Sequence, residues 1–281
     1  MKVAVTGATG FIGRHVLAEL ERRSVETIAL VRPSTAKPLG HFGSRVVKLD
    51  LHEAPLNAFE LMGRPDVLIH LAWSGLPNYK SLHHFEQELP AQYRFLKHLI
   101  ESGLQTLVVA GTCFEYGMQS GPLSEDVAPH PSNPYGFAKD ALRCQLEYLK
   151  STHPFRLTWA RLFYLYGEGQ AESSLLPRLM QAAERGDPVF NMSGGEQLRD
   201  YLPVTEVAKH LVALALARKD VGAVNVCSGT PISVRKLVEG WIKENGWSVM
   251  LNLGHYPYPD YEPMAFWGDS RKLLTFIGKV T

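Results

Sequence analysis

Apolar residues in the first part of the chain fall in short runs that alternate with segments of helical spacing. The runs are rich in β-branched residues and bounded by turn residues, which is typical of buried strands. They predict strands at Lys2–Thr6, Thr27–Val31, Arg45–Leu49, Val67–Leu71, Thr106–Ala110 and Leu157–Leu162. The segments between them predict helices at Gly13–Arg23, Phe85–Ser102 and Ala138–Thr152. Such alternation favours parallel pairing with helices on both faces, so we expect an α/β fold with a doubly wound sheet.

The pattern changes after about residue 165. Glycine and proline become frequent, and the helices predicted at Leu175–Arg185 and Val204–Ala217 stand between loops. We therefore expect a first domain over 1–165 and a smaller, interleaved region over 166–281.

Three glycines join the first predicted strand to the first predicted helix, in the sequence GATGFIG. Gly7 would permit the tight turn, Gly10 would let backbone approach a pyrophosphate, and Gly13 would let the helix pack on the strand. The helix N-terminus would offer free N–H groups and a positive dipole end to phosphates. The turn predicts a dinucleotide cofactor at the carboxyl ends of the strands.

Arg32 follows the second predicted strand, where an acidic residue would bind the ribose hydroxyls of NAD. A guanidinium is planar and permanently charged, which suits a 2′-phosphate. The position favours NADP, with NAD as the alternative.

Tyr135 and Lys139 are four residues apart in NPYGFAK, so they would share one face of a helix. A free phenol has a pKa near ~10, and a nearby ammonium would lower it toward neutral pH. A proton-transfer catalyst needs such tuning. Thr112, in GTCFEYG, precedes the pair at the end of a predicted strand.

The motifs TGATGFIG, GTCFEYG and NPYGFAK together resemble the extended short-chain dehydrogenase/reductase family, which includes the NAD-dependent epimerases and dehydratases of nucleotide sugars. The resemblance implies a Rossmann-type sheet and makes Thr112, Tyr135 and Lys139 the catalytic residues. Thr112 would bond the substrate oxygen, Tyr135 would move the proton, and Lys139 would also bind the nicotinamide ribose. The implied cofactor-binding residues are Gly7, Thr9, Gly10, Phe11, Ile12, Gly13, Arg32, Asp50, Leu51, Leu71, Ala72, Tyr135 and Lys139.

The resemblance also implies a substrate side that binds a nucleoside diphosphate sugar. Arg199, in GEQLRDY, would bind the diphosphate, and Thr112, Cys113 and Tyr164 would complete the site. Tyr164 stands where the family usually has asparagine, and Glu88 replaces another asparagine. Four further side chains near the expected sugar pocket are interpreted as packing or surface residues: Trp73, Tyr79, His83 and His84.

Family members that dehydrate nucleotide sugars at C4 and C6 carry Asp-Glu directly after the catalytic threonine. Cys113 and Phe114 stand there instead, and Glu115 is displaced by one residue. On a strand, Glu115 would face the opposite side. A 4,6-dehydratase is therefore excluded.

We expect hydride and proton transfer at a carbonyl without dehydration. The leading hypothesis is an NDP-4-keto-6-deoxyhexose 4-ketoreductase that makes precursors of polysaccharides such as O-antigen. A nucleotide-sugar C4 epimerase is the rival, and a non-enzymatic NADP-sensing protein is a more distant one. The Tyr135–Lys139 pair argues against the last.

Composition excludes several other classes of protein. The 281 residues contain 29 Lys plus Arg and 28 Asp plus Glu, which favours neither nucleic acid nor a membrane as a partner. The three cysteines have no metal-ligand spacing, so we expect reduced thiols, no metal site and a cytoplasmic enzyme without a leader. By the family resemblance, the helices Phe85–Ser102 and Ala138–Thr152 would form a four-helix contact in a homodimer.

Overall fold

The computed structural model describes residues 1–34 and 43–278. The strands are β1 Lys2–Thr6, β2 Glu26–Val31, β3 Arg45–Lys48, β4 Val67–His70, β5 Thr106–Thr112, β6 Gly121–Leu123, β7 Arg156–Leu162, β8 Tyr164–Tyr166, β9 Val189–Asn191, β10 Leu198–Arg199, β11 Tyr201–Pro203, β12 Gly222–Val226, β13 Ile232–Ser233, β14 Met250–Asn252 and β15 Phe266–Gly268. The α-helices are α1 Phe11–Arg22, α2 Ala58–Leu61, α3 Leu89–Glu101, α4 Pro134–Leu149, α5 Leu175–Glu184, α6 Val204–Ala217, α7 Val234–Asn245 and α8 Arg271–Ile277.

Seven strands form one parallel sheet in the order β12-β7-β5-β4-β1-β2-β3. The predicted α/β class and doubly wound sheet are confirmed. The chain builds outward from β1 to β3 and then crosses to β4 on the other side of β1. This reversal leaves a crevice at the carboxyl ends of β1 and β4, where ligands bind in open α/β sheets.

Both faces of the sheet are covered, because alternate side chains of each strand enter different cores. In β1, Val3 and Val5 pack with α1 and α6, whereas Ala4 packs with α3 and α4 on the opposite face. The strands therefore read as continuous apolar runs rather than as alternating ones.

The helix α4 begins at Pro134, four residues before the predicted start at Ala138. The side chain of Asn133 accepts a hydrogen bond from the N–H of Gly136 at 2.8 Å and caps the helix. Asparagine at the N-cap followed by proline is a recognised start signal, which the prediction overlooked. Tyr135 and Lys139 consequently both lie in the first turns of α4.

The single helix predicted over Phe85–Ser102 is wrong in its first turn. His84–Glu88 forms a π-helix, in which the Leu89 N–H bonds to the His84 carbonyl, and α3 follows it. Pro90 lacks the N–H that would continue a regular α-helical ladder through this point. Single π-turns at the end of an α-helix are frequent at functional sites.

The chain after residue 165 builds a second core and also returns to the sheet. Side chains of α5, α7, β9 and neighbouring loops pack into one cluster, whereas α6 and β12 belong to the large sheet and its covering layer. The division into 1–165 and 166–281 stays a prediction. Across the part of the chain that the structure describes, every helix is too short or too polar to cross a bilayer.

Candidate active site

A cleft opens where β1, β2 and β4 end. Eight of the predicted cofactor residues line it: Gly7, Thr9, Gly10, Arg32, Asp50, Leu51, Leu71 and Ala72. Phe11, Ile12 and Gly13 lie behind it at the start of α1, and Tyr135 and Lys139 lie beyond its lining. Five further polar residues that were not predicted there lie in its wall: Thr6, His52, Ser74, Glu88 and Gln92.

The glycine turn leaves backbone exposed to the cleft. Gly7 has φ +65°, and a Cβ there would lie 2.9 Å from the Ala72 nitrogen. A Cβ on Gly13 would lie 2.1 Å from the Gly7 oxygen, so only glycine lets α1 approach β1 this closely. Because a side chain at Gly7 would clash with the backbone after β4, this position requires glycine, as the tight turn of a dinucleotide-binding βα unit does.

Thr6 ties the ends of β1 and β4 together under this turn. Its hydroxyl oxygen accepts hydrogen bonds from the N–H groups of Leu71 and Ala72 at 3.0 and 3.2 Å. The same hydroxyl lies 3.0 Å from Nδ1 of the buried His70. The position of Thr6, directly before Gly7, is the sequence signal that could have identified it.

Glu88 is a buried carboxylate in the wall of the cleft. It accepts hydrogen bonds from the Ser74 hydroxyl at 2.6 Å and from the Gln92 amide at 2.8 Å, and His52 Nε2 lies at 2.9 Å. These hydrogen bonds outweigh burial and lower the pKa of Glu88, so it is ionised. Glu88, which stands where the family usually has asparagine, therefore places a negative charge beside the cofactor cleft.

The three predicted catalytic residues meet at the end of β5. Thr112 is the last residue of β5, and Tyr135 and Lys139 lie on the face of α4 that covers it. Lys139 Nζ donates to the Ala110 carbonyl at 2.9 Å. The Thr112 hydroxyl accepts from the Phe114 N–H at 3.3 Å, which leaves its own proton free to donate.

Burial, not Lys139, dominates the ionisation of Tyr135. Desolvation raises the pKa of Tyr135, and the neighbouring Thr112 hydroxyl only partly opposes this. Burial also lowers the pKa of Lys139 to about 7, against the attraction of Glu115 and Glu88. The expectation that Lys139 lowers the tyrosine pKa is therefore not met, and Tyr135 is a phenol that can donate a proton at neutral pH.

Glu115 does not face away on a strand, as the sequence analysis assumed. It lies in a 3₁₀ turn, Cys113–Tyr116, and is fully buried. Its carboxylate accepts hydrogen bonds from the Thr112 N–H at 2.9 Å, Trp159 Nε1 at 2.8 Å and Arg161 Nε at 2.7 Å. These bonds occupy the carboxylate, which holds Thr112 in place instead of facing a substrate.

Arg199 is engaged within the fold. Its guanidinium bonds to Glu262 through Nε and Nη2, at 3.3 and 2.8 Å, and to the carbonyls of Leu198 and Met264 through Nη1. The side chain is 2% exposed. A diphosphate could bind this fork only if Glu262 moved. The carboxylate of the adjacent Asp200 accepts hydrogen bonds from the N–H groups of Ser228 and Gly229.

The other predicted substrate residues lie around Arg199 and Glu262. Cys113 is buried next to Thr112, and burial raises the pKa of its thiol. Tyr164 packs against Tyr201 with ring centroids 5.2 Å apart.

Cys113, Cys144 and Cys227 are free thiols. The described residues hold no cluster of three or more His, Cys, Asp or Glu arranged to bind a metal ion.

Comparisons with known proteins identify the family of the chain. The model of the family described as "NAD dependent epimerase/dehydratase family" matches residues 3–227. The chain is 28% identical over 270 residues to the dTDP-6-deoxy-L-talose 4-dehydrogenase (NAD(+)) of Aggregatibacter actinomycetemcomitans, covering 95% of this chain and 99% of that one. It is 24% identical over 308 residues to the UDP-glucose 4-epimerase of Halalkalibacterium halodurans, covering 99% of this chain and 90% of the relative.

A solved structure described as MoeE5 in complex with UDP-glucuronic acid and NAD superimposes with a TM-score of 0.82 at 27% identity. The match covers 99% of this chain and 93% of that one. The resemblance predicted from the motifs, and the Rossmann-type fold that it implied, are confirmed.

Proposed function

Since this chain belongs to the NAD-dependent epimerase/dehydratase family, we propose that it is a ketoreductase of a nucleotide-activated sugar. The proposed substrate is an NDP-4-keto-6-deoxyhexose, which the enzyme reduces at C4. The observation that carries the proposal is that Thr112, at the end of β5, meets the buried Tyr135 and Lys139 of α4 near the cleft that the glycine turn lines.

The residues of the site suit reduction of a carbonyl. A bound nicotinamide cofactor supplies a hydride to the carbonyl carbon, so that a C–H bond forms as the C=O π bond breaks. Tyr135 gives its proton to the developing alkoxide, and the free proton of Thr112 bonds the same oxygen. Lys139, whose Nζ lies 5.9 Å from the centre of the Tyr135 ring, would hold the nicotinamide ribose rather than lower the pKa of the tyrosine.

The relative from Aggregatibacter supports this choice of substrate and position. Its name describes oxidation at C4 of a 6-deoxyhexose attached to a nucleotide, the reverse of the proposed step. A proton donor in one direction is a proton acceptor in the other, so one set of residues serves both. The absence of carboxylates at Cys113 and Phe114, and the engagement of Glu115, argue against dehydration.

We infer that the cofactor is NADP(H), with NAD(H) as the alternative. The side chain of Arg32 is exposed on the rim of the cleft, directly after β2. A permanently charged fork in this place suits a 2′-phosphate. The relative from Aggregatibacter is named for NAD(+), so the affinity for both cofactors must be measured.

A C4 epimerase is the second candidate, because a UDP-glucose 4-epimerase aligns over 99% of the chain. An epimerase removes and returns hydride on a cofactor that stays bound. Purified protein that retains cofactor and inverts a UDP-hexose without net oxidation of NAD(P)H would favour epimerisation. Stoichiometric oxidation of NAD(P)H with a 4-keto sugar would favour the reductase.

A cytoplasmic location and a role in O-antigen synthesis stay predictions.

Replacement of Tyr135 by phenylalanine tests the mechanism. We expect Tyr135→Phe to lower kcat by about 100-fold or more, because general acid catalysis contributes roughly 10²–10⁴. Cofactor affinity, measured by calorimetry, should change less than about threefold. The matched control is Tyr148→Phe, on the same helix but 81% exposed, which should retain full activity. Normal turnover by Tyr135→Phe would refute the assigned role.

A further inference from the structure

Lys139 lies against the aromatic face of Trp73. Its Nζ is 3.9 Å from the centre of the Trp73 ring, and the lysine is 2% exposed. Among the described residues, the hydrogen-bond acceptor found for this ammonium is the Ala110 carbonyl. An ammonium has three donors, so the electron-rich indole face is a major part of its environment.

His84 fixes the orientation of the Trp73 ring. The indole Nε1–H donates to His84 Nδ1 at 3.1 Å, and His84 Nε2 lies 2.8 Å from the Asn78 carbonyl. Since Nδ1 must accept, the proton of this neutral imidazole is on Nε2 and donates to Asn78. Burial lowers the pKa of His84, which favours this neutral form.

The residue after Trp73 is held by the same π-helix that carries His84. The Ser74 hydroxyl donates to Glu88 at 2.6 Å and lies 2.8 Å from His83 Nε2. His84 and Glu88 are the first and last residues of the π-turn. The unusual turn therefore fixes both Trp73 and Ser74.

Trp73 also contacts both the cofactor cleft and the catalytic pair. The indole lines the cleft, whereas Lys139 and Tyr135 do not. The rings of Trp73 and Tyr135 meet edge to face at 6.1 Å. The indole is therefore shared by the wall of the cleft and the surroundings of Lys139.

We propose that Trp73 is a positioning residue for Lys139, held by His84, whose indole face keeps the buried ammonium charged and aimed toward the cofactor. The inference rests on the proposed function for its catalytic meaning, although the cofactor-binding part does not need it. Trp73 and His84, which were interpreted from the sequence as packing or surface residues, thereby acquire a role in the site.

The test compares Trp73→Leu, which removes the π face, with Trp73→Phe, which keeps a smaller one. Trp247→Leu is the control, because Trp247 is a partly buried tryptophan in the second core, away from the cleft. Apo protein is titrated with NADPH and NADH by calorimetry. The pH profile of kcat and the sugar KM are measured at saturating cofactor.

We expect Trp73→Leu to lower kcat about tenfold, with the sugar KM within threefold of wild type. The alkaline limb of its kcat profile should move about one pH unit lower, because the buried Lys139 ammonium loses its interaction with the indole face and the pKa of Lys139 falls. Cofactor should bind about fivefold more weakly. Trp73→Phe, which keeps a smaller π face but loses the hydrogen bond to His84, should fall between wild type and Trp73→Leu in kcat. His84→Gln, which can still accept from the indole, should exceed His84→Leu in kcat.

Charged and titratable groups around Lys139 are Glu88, Glu115, His70, His84 and Tyr135. All five residues are retained in the Trp73 variants, and His84 is the one among them that loses a hydrogen bond to the indole. An unmoved pH limb and unchanged cofactor affinity in Trp73→Leu would overturn the inference, even if the melting temperature fell. If wild type turned over no nucleotide sugar, the proposed function would fail. Cofactor affinity would then decide the inference alone, and equal affinity in wild type and Trp73→Leu would refute it.

Discussion

Arg32 is the side chain on which the choice of cofactor depends. We expect Arg32→Ala to weaken NADP(H) binding about tenfold or more, because hydrogen bonds to charged groups contribute roughly 1.5–3 kcal/mol. NAD(H) binding should change less than threefold, since it has no 2′-phosphate. Calorimetry with both cofactors measures this, with Arg64→Ala as an exposed control. Equal losses for the two cofactors would contradict the assignment.

His70 makes the fold sensitive to acid. Burial, reinforced by the Lys139 ammonium, lowers the pKa of His70 from 6.5 to about 3. The unfolded chain binds this proton more readily, so stability is fully present above pH 6.5 and declines as pH falls toward 3. We expect the urea-unfolding free energy of wild type to fall across this range, and His70→Asn to fall less steeply. Parallel curves for the two proteins would contradict this.

At the scale of elements, Glu115 joins the end of β5 to β7. It bonds the Thr112 N–H and also Trp159 and Arg161, which are two residues apart on β7 and therefore on one face. We expect Glu115→Gln to cost about 3–5 kcal/mol of unfolding free energy, since it leaves Arg161 buried without its counter-charge. Glu60→Gln, which breaks an exposed pair with Arg64, should cost under about 1 kcal/mol.

The same variants also test the link to catalysis. Because Glu115 bonds the backbone of Thr112, kcat should fall in Glu115→Gln under conditions where circular dichroism shows it folded. Full activity of a folded, destabilised variant would show that Thr112 does not depend on this contact.

Elements with a local cause could be predicted from sequence, whereas those with a distant cause could not. The glycine turn and the strands of the sheet follow from short-range patterns, and even the start of α4 was signalled by Asn133 and Pro134. The engagement of Arg199 depends on Glu262, which lies 63 residues further along the chain. The charge of Glu88 depends on hydrogen bonds that outweigh burial, and the protonation of Tyr135 depends on burial. Periodicity predicts neither for a polar residue.

At the scale of the whole molecule, α4 presents an apolar stripe to solvent. Phe137 and Tyr148 are 52% and 81% exposed, and Ala141 and Cys144 lie between them at helical spacing. This stripe supports the predicted homodimer, in which α3 and α4 of two copies would pair around a two-fold axis. The structure describes one chain, so the dimer stays a prediction.

We expect Tyr148→Arg to shift wild-type dimer toward monomer in light scattering coupled to size exclusion, because two like charges would meet near the axis. Met180→Arg, at an exposed apolar position on α5, is the control and should leave the mass unchanged. A monomeric wild type at micromolar concentration would refute the dimer.

The return of α6 and β12 to the sheet has a consequence for chimaeras. β12 pairs with β7, and α6 covers the face shared with α1, although both lie after residue 165. A substrate region from a relative could not be attached at one junction, since a cut at 165 would remove β12, one of the two neighbours of β7, and uncover an apolar layer. Grafts on either side of α6 and β12 would be needed. In this architecture, a graft that changes specificity would consist of two inserted segments, while the strands of the sheet remain those of the host.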